Sequence, residues 1–218
     1  MISHEHKFIV IMPPKTASTS MFRAVQPHIS YSDLKIQGGK TCDWKSEIGS
    51  KHTNIQDVHT RLLDTSYNID SYQLFGMVRN PFERILSFYF FHCGHTGVLC
   101  KDTFKEFICA EETWESFESV NHQHSYGGLG PSGFILPLLT WFTLKSGEIL
   151  VKNYIRTDNL QCEFDKFCDM VNLPHQQLPH RNKTKHKHYT EYYDDETREI
   201  VAEKYANDIE HFGYKFGE

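Results

Sequence analysis

The chain has 218 residues, 39% hydrophobic and 23% charged, a globular balance rather than a disordered, collagen-like or coiled-coil one. Its formal charge of −5 argues against a general nucleic-acid binder or a membrane-surface binder, so an anionic ligand has to be met by a local basic site. Against a typical domain of ~150 residues the length suggests one domain over 1–218, and there is no signal peptide, no membrane span and no CxxC among the six cysteines, which reads as a cytoplasmic protein with reduced thiols.

Residues 7–12 (KFIVIM) form an apolar run closed by Pro13 and Pro14, the pattern of a strand buried on both faces of a sheet. Residues 16–25 then read as a helix with Met21, Phe22 and Val25 on its apolar side. Residues 26–53 are irregular and carry lysines 35, 40, 45 and 51. Asn54 is an N-cap with Asp57 in the first turn, and Ile55, Val58, His59 and Leu62 follow at helical spacing. Residues 72–78 (YQLFGMV) give a second buried strand. Asn80 caps the next helix, Pro81 suits its first position, Glu83 completes a capping-box-like arrangement, and the helix reaches about Phe91.

A further helix is expected at 103–113, a turn-rich loop at 121–133, and a hairpin made of 141–144 and 149–155 around Ser146 and Gly147. Phe164, Phe167, Cys168 and Val171 give a helical stripe that puts Cys168 in the core. Residues 180–188 (HRNKTKHKH) are a basic loop, and Asp194, Asp195 and Glu196 open a last helix through Val201 and Tyr205. Strands alternating with helices imply an α/β domain with a mostly parallel sheet.

Two strand-to-helix turns carry chemistry. The first, PKTASTS at 14–20, places Lys15 and the hydroxyls of Thr16, Ser18, Thr19 and Ser20 at a helix N-terminus, where backbone N–H groups and the helix dipole favour an anion. The glycines of an ATP-binding loop are missing from it. The second, RNPFERILS at 79–87, sets Arg79 at the carboxyl edge of a strand, where open α/β sheets bind ligands, with Ser87 two turns into the helix. The plainer alternative is that Arg79 pairs with a carboxylate and Ser87 packs.

Together these stretches resemble the donor-binding motifs of sulfotransferases that use 3′-phosphoadenosine 5′-phosphosulfate, above all the carbohydrate group with heparan-sulfate 2-O-sulfotransferase and small bacterial relatives. Further matches run in register: Lys51-His52-Thr53 before a helix, YIRTDNL at 154–160, NKTKHKHY at 182–189 and YYDDETREIVAEKYANDIEHFGY at 192–214. No acceptor-site pattern is evident at 89–148.

The resemblance implies a P-loop-like three-layer α/β sandwich with a short central parallel sheet, and metal-free transfer of a sulfuryl group to an acceptor hydroxyl, on a carbohydrate. It assigns the 5′-phosphosulfate to Lys15, Thr16, Ala17, Ser18, Thr19 and Ser20, and the 3′-phosphate to Arg79 and Ser87. It also implies that Arg156 lies near the donor, with Asp158 two positions on, against the plainer reading of a structural Arg–Asp pair. Lys183 and Lys185 belong to a flap over the 3′-phosphate, against the plainer reading of a solvated charge run.

A hydroxyl acceptor needs a base. The resemblance gives that role to His52, on polar surroundings before its helix, whereas His59 on the apolar stripe reads as core or near-core. His92, Cys93, His95 and Cys100 fit no standard zinc spacing. A sugar ring would find stacking and hydrogen-bonding partners in His122, His124 and Tyr126, and the lysines at 35, 40, 45 and 51 would face an acidic or hydroxyl-rich glycan, against the plainer reading that they are solvated surface. An ATP-dependent kinase and a non-catalytic anion- or glycan-binding module are the alternatives.

Overall fold

The computed structural model describes residues 1–30, 52–63, 65–95, 103–111, 113–114, 135–179 and 187–218, with side chains 92–95 outside that description. Strand β1 (Ile2–Ser3) pairs antiparallel with β2 (Phe8–Ile11), Ile2 opposite Ile9. Beyond β2 the chain turns through Pro13 and Pro14 into helix α1 (Ser18–Val25), and later resumes in helix α2 (Ile55–Leu63). Asn54 does cap α2, its side chain accepting from the Asp57 N–H at 2.8 Å. Strand β3 (Gln73–Val78) lies parallel to β2, with Ile11 opposite Gly76.

Helices α3 (Pro81–His95), α4 (Phe104–Cys109) and α5 (Leu138–Phe142) follow. Strand β4 (Asn153–Arg156) then joins β3 in parallel, Val78 opposite Arg156. Helices α6 (Leu160–Val171), α7 (Asp195–Lys204) and α8 (Ala206–Phe212) complete the elements used below. The open sheet runs in the order β1-β2-β3-β4.

The strands' period-two alternation divides the core. Phe8, Val10, Phe75, Met77 and Ile155 pack against Met21 and Val25 of α1 and against Phe164, Phe167, Cys168 and Val171 of α6. Ile9, Ile11 and Val78 meet α2 through Ile55, Val58 and Leu62, and α5 through Leu138, Trp141 and Phe142. Helices therefore cover both faces, while α3, α4 and α7 gather their own cluster around Leu86, Phe107 and Val201. Gly76 is required by this packing: a Cβ there would stand 2.6 Å from Cε1 of Phe142.

Some expectations are corrected. The hairpin expected over 141–155 shrinks to a tight reversal: Trp141 and Phe142 end helix α5, one antiparallel bridge joins Thr143 to Ile149 with the Leu150 N–H on the Phe142 carbonyl at 3.0 Å, and the chain then leaves to become the third parallel strand. Helix α4 stops at Cys109, α3 continues to His95, and the last helix breaks at Tyr205 into α7 and α8. The edge strand β1 was not expected. Among the described residues no helix is long and apolar enough to cross a membrane.

Candidate active site

The carboxyl ends of β2, β3 and β4 lie side by side, and each delivers one part of the site. After β2 the backbone enters the left-handed region twice, at Lys15 (φ 66°) and Ala17 (φ 58°). Neither residue is glycine, so the turn stores strain of about 1–2 kcal/mol per residue, a feature that clusters at functional sites. The Thr16 hydroxyl donates to the Pro13 carbonyl at 2.7 Å and locks the turn. The Ser20 and Met21 N–H groups both donate to the Ala17 carbonyl, opening α1.

The N–H groups of Thr16, Ala17 and Ser18 have no hydrogen-bond partner among the described residues. Three successive open donors in a left-handed turn at a helix N-terminus make an anion-binding nest. The cradle is thus built mainly by backbone: the Thr16 hydroxyl is committed to Pro13, and the Ser20 hydroxyl donates to the Pro179 carbonyl at 2.8 Å.

The second motif physically holds the first. Arg79, at the end of β3, donates through Nη1 to the Lys15 carbonyl at 3.0 Å. Its other side grips Glu83, with Nε 3.1 Å and Nη2 3.0 Å from the two carboxylate oxygens. The carboxylate pairing weighed as the plainer alternative is therefore present. Five N–H donors less these three leave two for a ligand. Glu83 thus serves Arg79, whereas Asn80 caps α3 by accepting from the Phe82 N–H at 3.1 Å.

Arg84 was not singled out from the sequence. It is 2% exposed, and it donates to the Pro14 carbonyl at 3.1 Å and to the Leu136 carbonyl at 2.8 Å. It also faces buried Asp208, whose carboxylate accepts the Leu138 and Leu139 N–H groups at the start of α5. Burial raises the Asp208 pKa above its ordinary 3.8, and those two bonds and Arg84 act against the rise.

Arg84, Ser87 and Phe91 fall at i, i+3 and i+7, hence on one face of α3. Arg84 touches the loop and the Phe91 ring lies under the Lys15 ammonium, 4.2 Å from the centroid. Half-buried Ser87 lies between them on that face.

His52 is buried, 6% exposed, with Nδ1 2.7 Å from the Met12 carbonyl at the end of β2. The polar surroundings expected for it are corrected: His52 is the buried histidine and His59 the partly exposed one, on the flank of the Ile55–Val58–Leu62 stripe. A carbonyl can only accept, so Nδ1 carries the hydrogen and Nε2 is the basic nitrogen.

At β4 the Arg156 guanidinium reaches Asp158 at 3.2 Å, the Phe212 carbonyl at 2.8 Å and the Tyr214 ring at 4.3 Å. The structural Arg–Asp pair is thus present, beside the ends of β2 and β3. Lys183 and Lys185 lie outside the described residues, as do Lys35, Lys40, Lys45, Lys51, Cys100, His122, His124, Tyr126 and the side chains of His92, Cys93 and His95. Cys168 is fully buried, and its thiol is pushed up to about 11, mainly by burial. Among the described residues no cluster of His, Cys, Asp and Glu is placed to ligate a metal.

Set against models of known families, residues 1–215 match that of the sulfotransferase family. No curated protein and no solved structure matches the chain.

Proposed function

The chain belongs to the sulfotransferase family, and from that premise we infer that it acts as one domain over 1–218, moving a sulfuryl group from 3′-phosphoadenosine 5′-phosphosulfate to a carbohydrate hydroxyl. The observation that carries this reading is the open nest at Thr16, Ala17 and Ser18, set beside the nitrogen-fixed imidazole of His52 at the end of the same strand.

In this reading the nest and Lys15, with Thr19 in the first turn of α1, bind the 5′-phosphosulfate, while the Ser20 hydroxyl, given to the Pro179 carbonyl, braces the turn. Arg79 offers its two remaining N–H groups, and Ser87 its hydroxyl, to the 3′-phosphate. Arg156, Lys183 and Lys185 complete the nucleotide site. His52 Nε2 takes the acceptor's proton while the acceptor oxygen bonds to sulfur and the bond from sulfur to the phosphate oxygen breaks. Lys15 offsets the charge that grows on that leaving oxygen. Catalysis of this kind rests on alignment and on preorganised charge, and the strained loop, pinned by Arg79 and Arg84, supports both.

The test is transfer of labelled sulfate from the donor to a panel of neutral sugars, uronic-acid glycans and phenols. The reading expects label on a glycan hydroxyl. Transfer confined to small phenols overturns the carbohydrate acceptor, and phosphate transfer from ATP in place of sulfate overturns the donor.

A further inference from the structure

We propose that Phe91 is a positioning residue for Lys15, seating its ammonium on a ring face at the edge of the anion nest. The proposal rests on the assignment of Lys15 to the phosphosulfate. The loop backbone at Lys15 is fixed by its left-handed φ of 66° and by Arg79 on its carbonyl at 3.0 Å. Those restraints fix where the side chain starts but not where its four-carbon stem ends. At that end stands Phe91, whose ring centroid is 4.2 Å from Nζ.

A ring face suits this task better than a carboxylate. It attracts the cation through its quadrupole, takes none of the three N–H donors, and itself adds no negative charge beside the ammonium. It also shields one side of the ammonium from water, which strengthens the field that Lys15 presents to an anion. The placement follows from the helix: Phe91 is two turns beyond Arg84, which holds the Pro14 carbonyl, so one face of α3 fixes both the backbone before Lys15 and the tip of its side chain.

Two measurements test this. In the protein alone, NMR should find the Lys15 ε-methylene protons shifted upfield by the ring and returned to ordinary values in Phe91→Leu. Unshifted protons in the wild type overturn the proposal whatever the donor is. Second, a kinetic cycle compares wild type, Phe91→Leu, Lys15→Ala and the double variant in sulfuryl transfer. Phe91→Leu should lower kcat about 3- to 30-fold, the range of a desolvated cation–π contact. Phe91→Tyr should restore it, and Phe91→Leu should have no further effect once Lys15 is alanine.

An equal loss in both backgrounds, or no loss in either, overturns the proposal while leaving sulfotransferase activity standing. A wild type that neither transfers sulfate nor binds 3′-phosphoadenosine 5′-phosphate overturns the functional reading, and this inference with it.

Discussion

Replacing His52 with asparagine separates its chemical role from its structural one. The imidazole is 6% exposed, and its Nδ1 donates to the Met12 carbonyl at 2.7 Å. An asparagine amide can still donate to that carbonyl, so the buried acceptor need not be orphaned. The stability loss should stay near the ~1 kcal/mol of one net hydrogen bond. Loss of the base should lower kcat by about 10²- to 10⁴-fold, equal to about 2.7–5.5 kcal/mol in the barrier. Affinity for 3′-phosphoadenosine 5′-phosphate should be unchanged, because His52 faces the acceptor in this account. The assay is initial rate at saturating donor, with urea unfolding as the control. A folded His52→Asn enzyme that keeps kcat within about tenfold of wild type refutes the assignment, as does a comparable loss from His59→Ala with His52→Asn silent.

Gly76→Ala should destabilise by about 1–3 kcal/mol in urea unfolding, because the new methyl meets the buried Phe142 ring at 2.6 Å, and adding Phe142→Leu should recover much of it. Arg79→Ala should weaken nucleotide binding by about 1.5–3 kcal/mol, and Arg79→Lys should not restore it, since an ammonium cannot match the fork that spans Glu83 and the Lys15 carbonyl. Asp208 has a folded pKa raised above 3.8, so the folded chain binds its proton more tightly than the unfolded chain. The stability of wild type relative to Asp208→Asn should therefore fall as pH rises above 3.8 and level off past the raised value, whereas a constant difference refutes the raised pKa. Thiol reagents should label exposed Cys109 and Cys162 in the native protein and reach Cys168 only on unfolding.

The two buried parallel strands were legible because sheets covered on both faces need continuous apolar runs, and residues 8–11 and 74–78 supply them. Strand β4 was misread because only Ile155 of its residues, Asn153 to Arg156, is fully buried and because it follows a real turn at Gly147 (φ 88°), which resembles the middle of a hairpin. Helix α5 has five residues, too few to show a helical period, and its first two N–H groups are held by Asp208, which is remote in sequence.

The site was legible where the chemistry is local, in the hydroxyl-rich loop and the residues on either side of Pro81. It was not legible where burial comes from distant chain. His52 is covered through a bond to Met12, and Arg84 is an arginine in an amphipathic helix that is buried because the Pro14 and Leu136 carbonyls converge on it. Periodicity put His59 on the apolar stripe, yet Ile55, Val58 and Leu62 fill that stripe without it.

The most direct test of the account is calorimetric titration of the intact protein with 3′-phosphoadenosine 5′-phosphate, with adenosine 5′-phosphate, and with ATP plus Mg²⁺. The first should bind without Mg²⁺, more tightly than the second, and this preference should be lost in Arg79→Ala. Equal affinity for the nucleotide lacking the 3′-phosphate, or tighter binding of Mg²⁺-ATP, would contradict it.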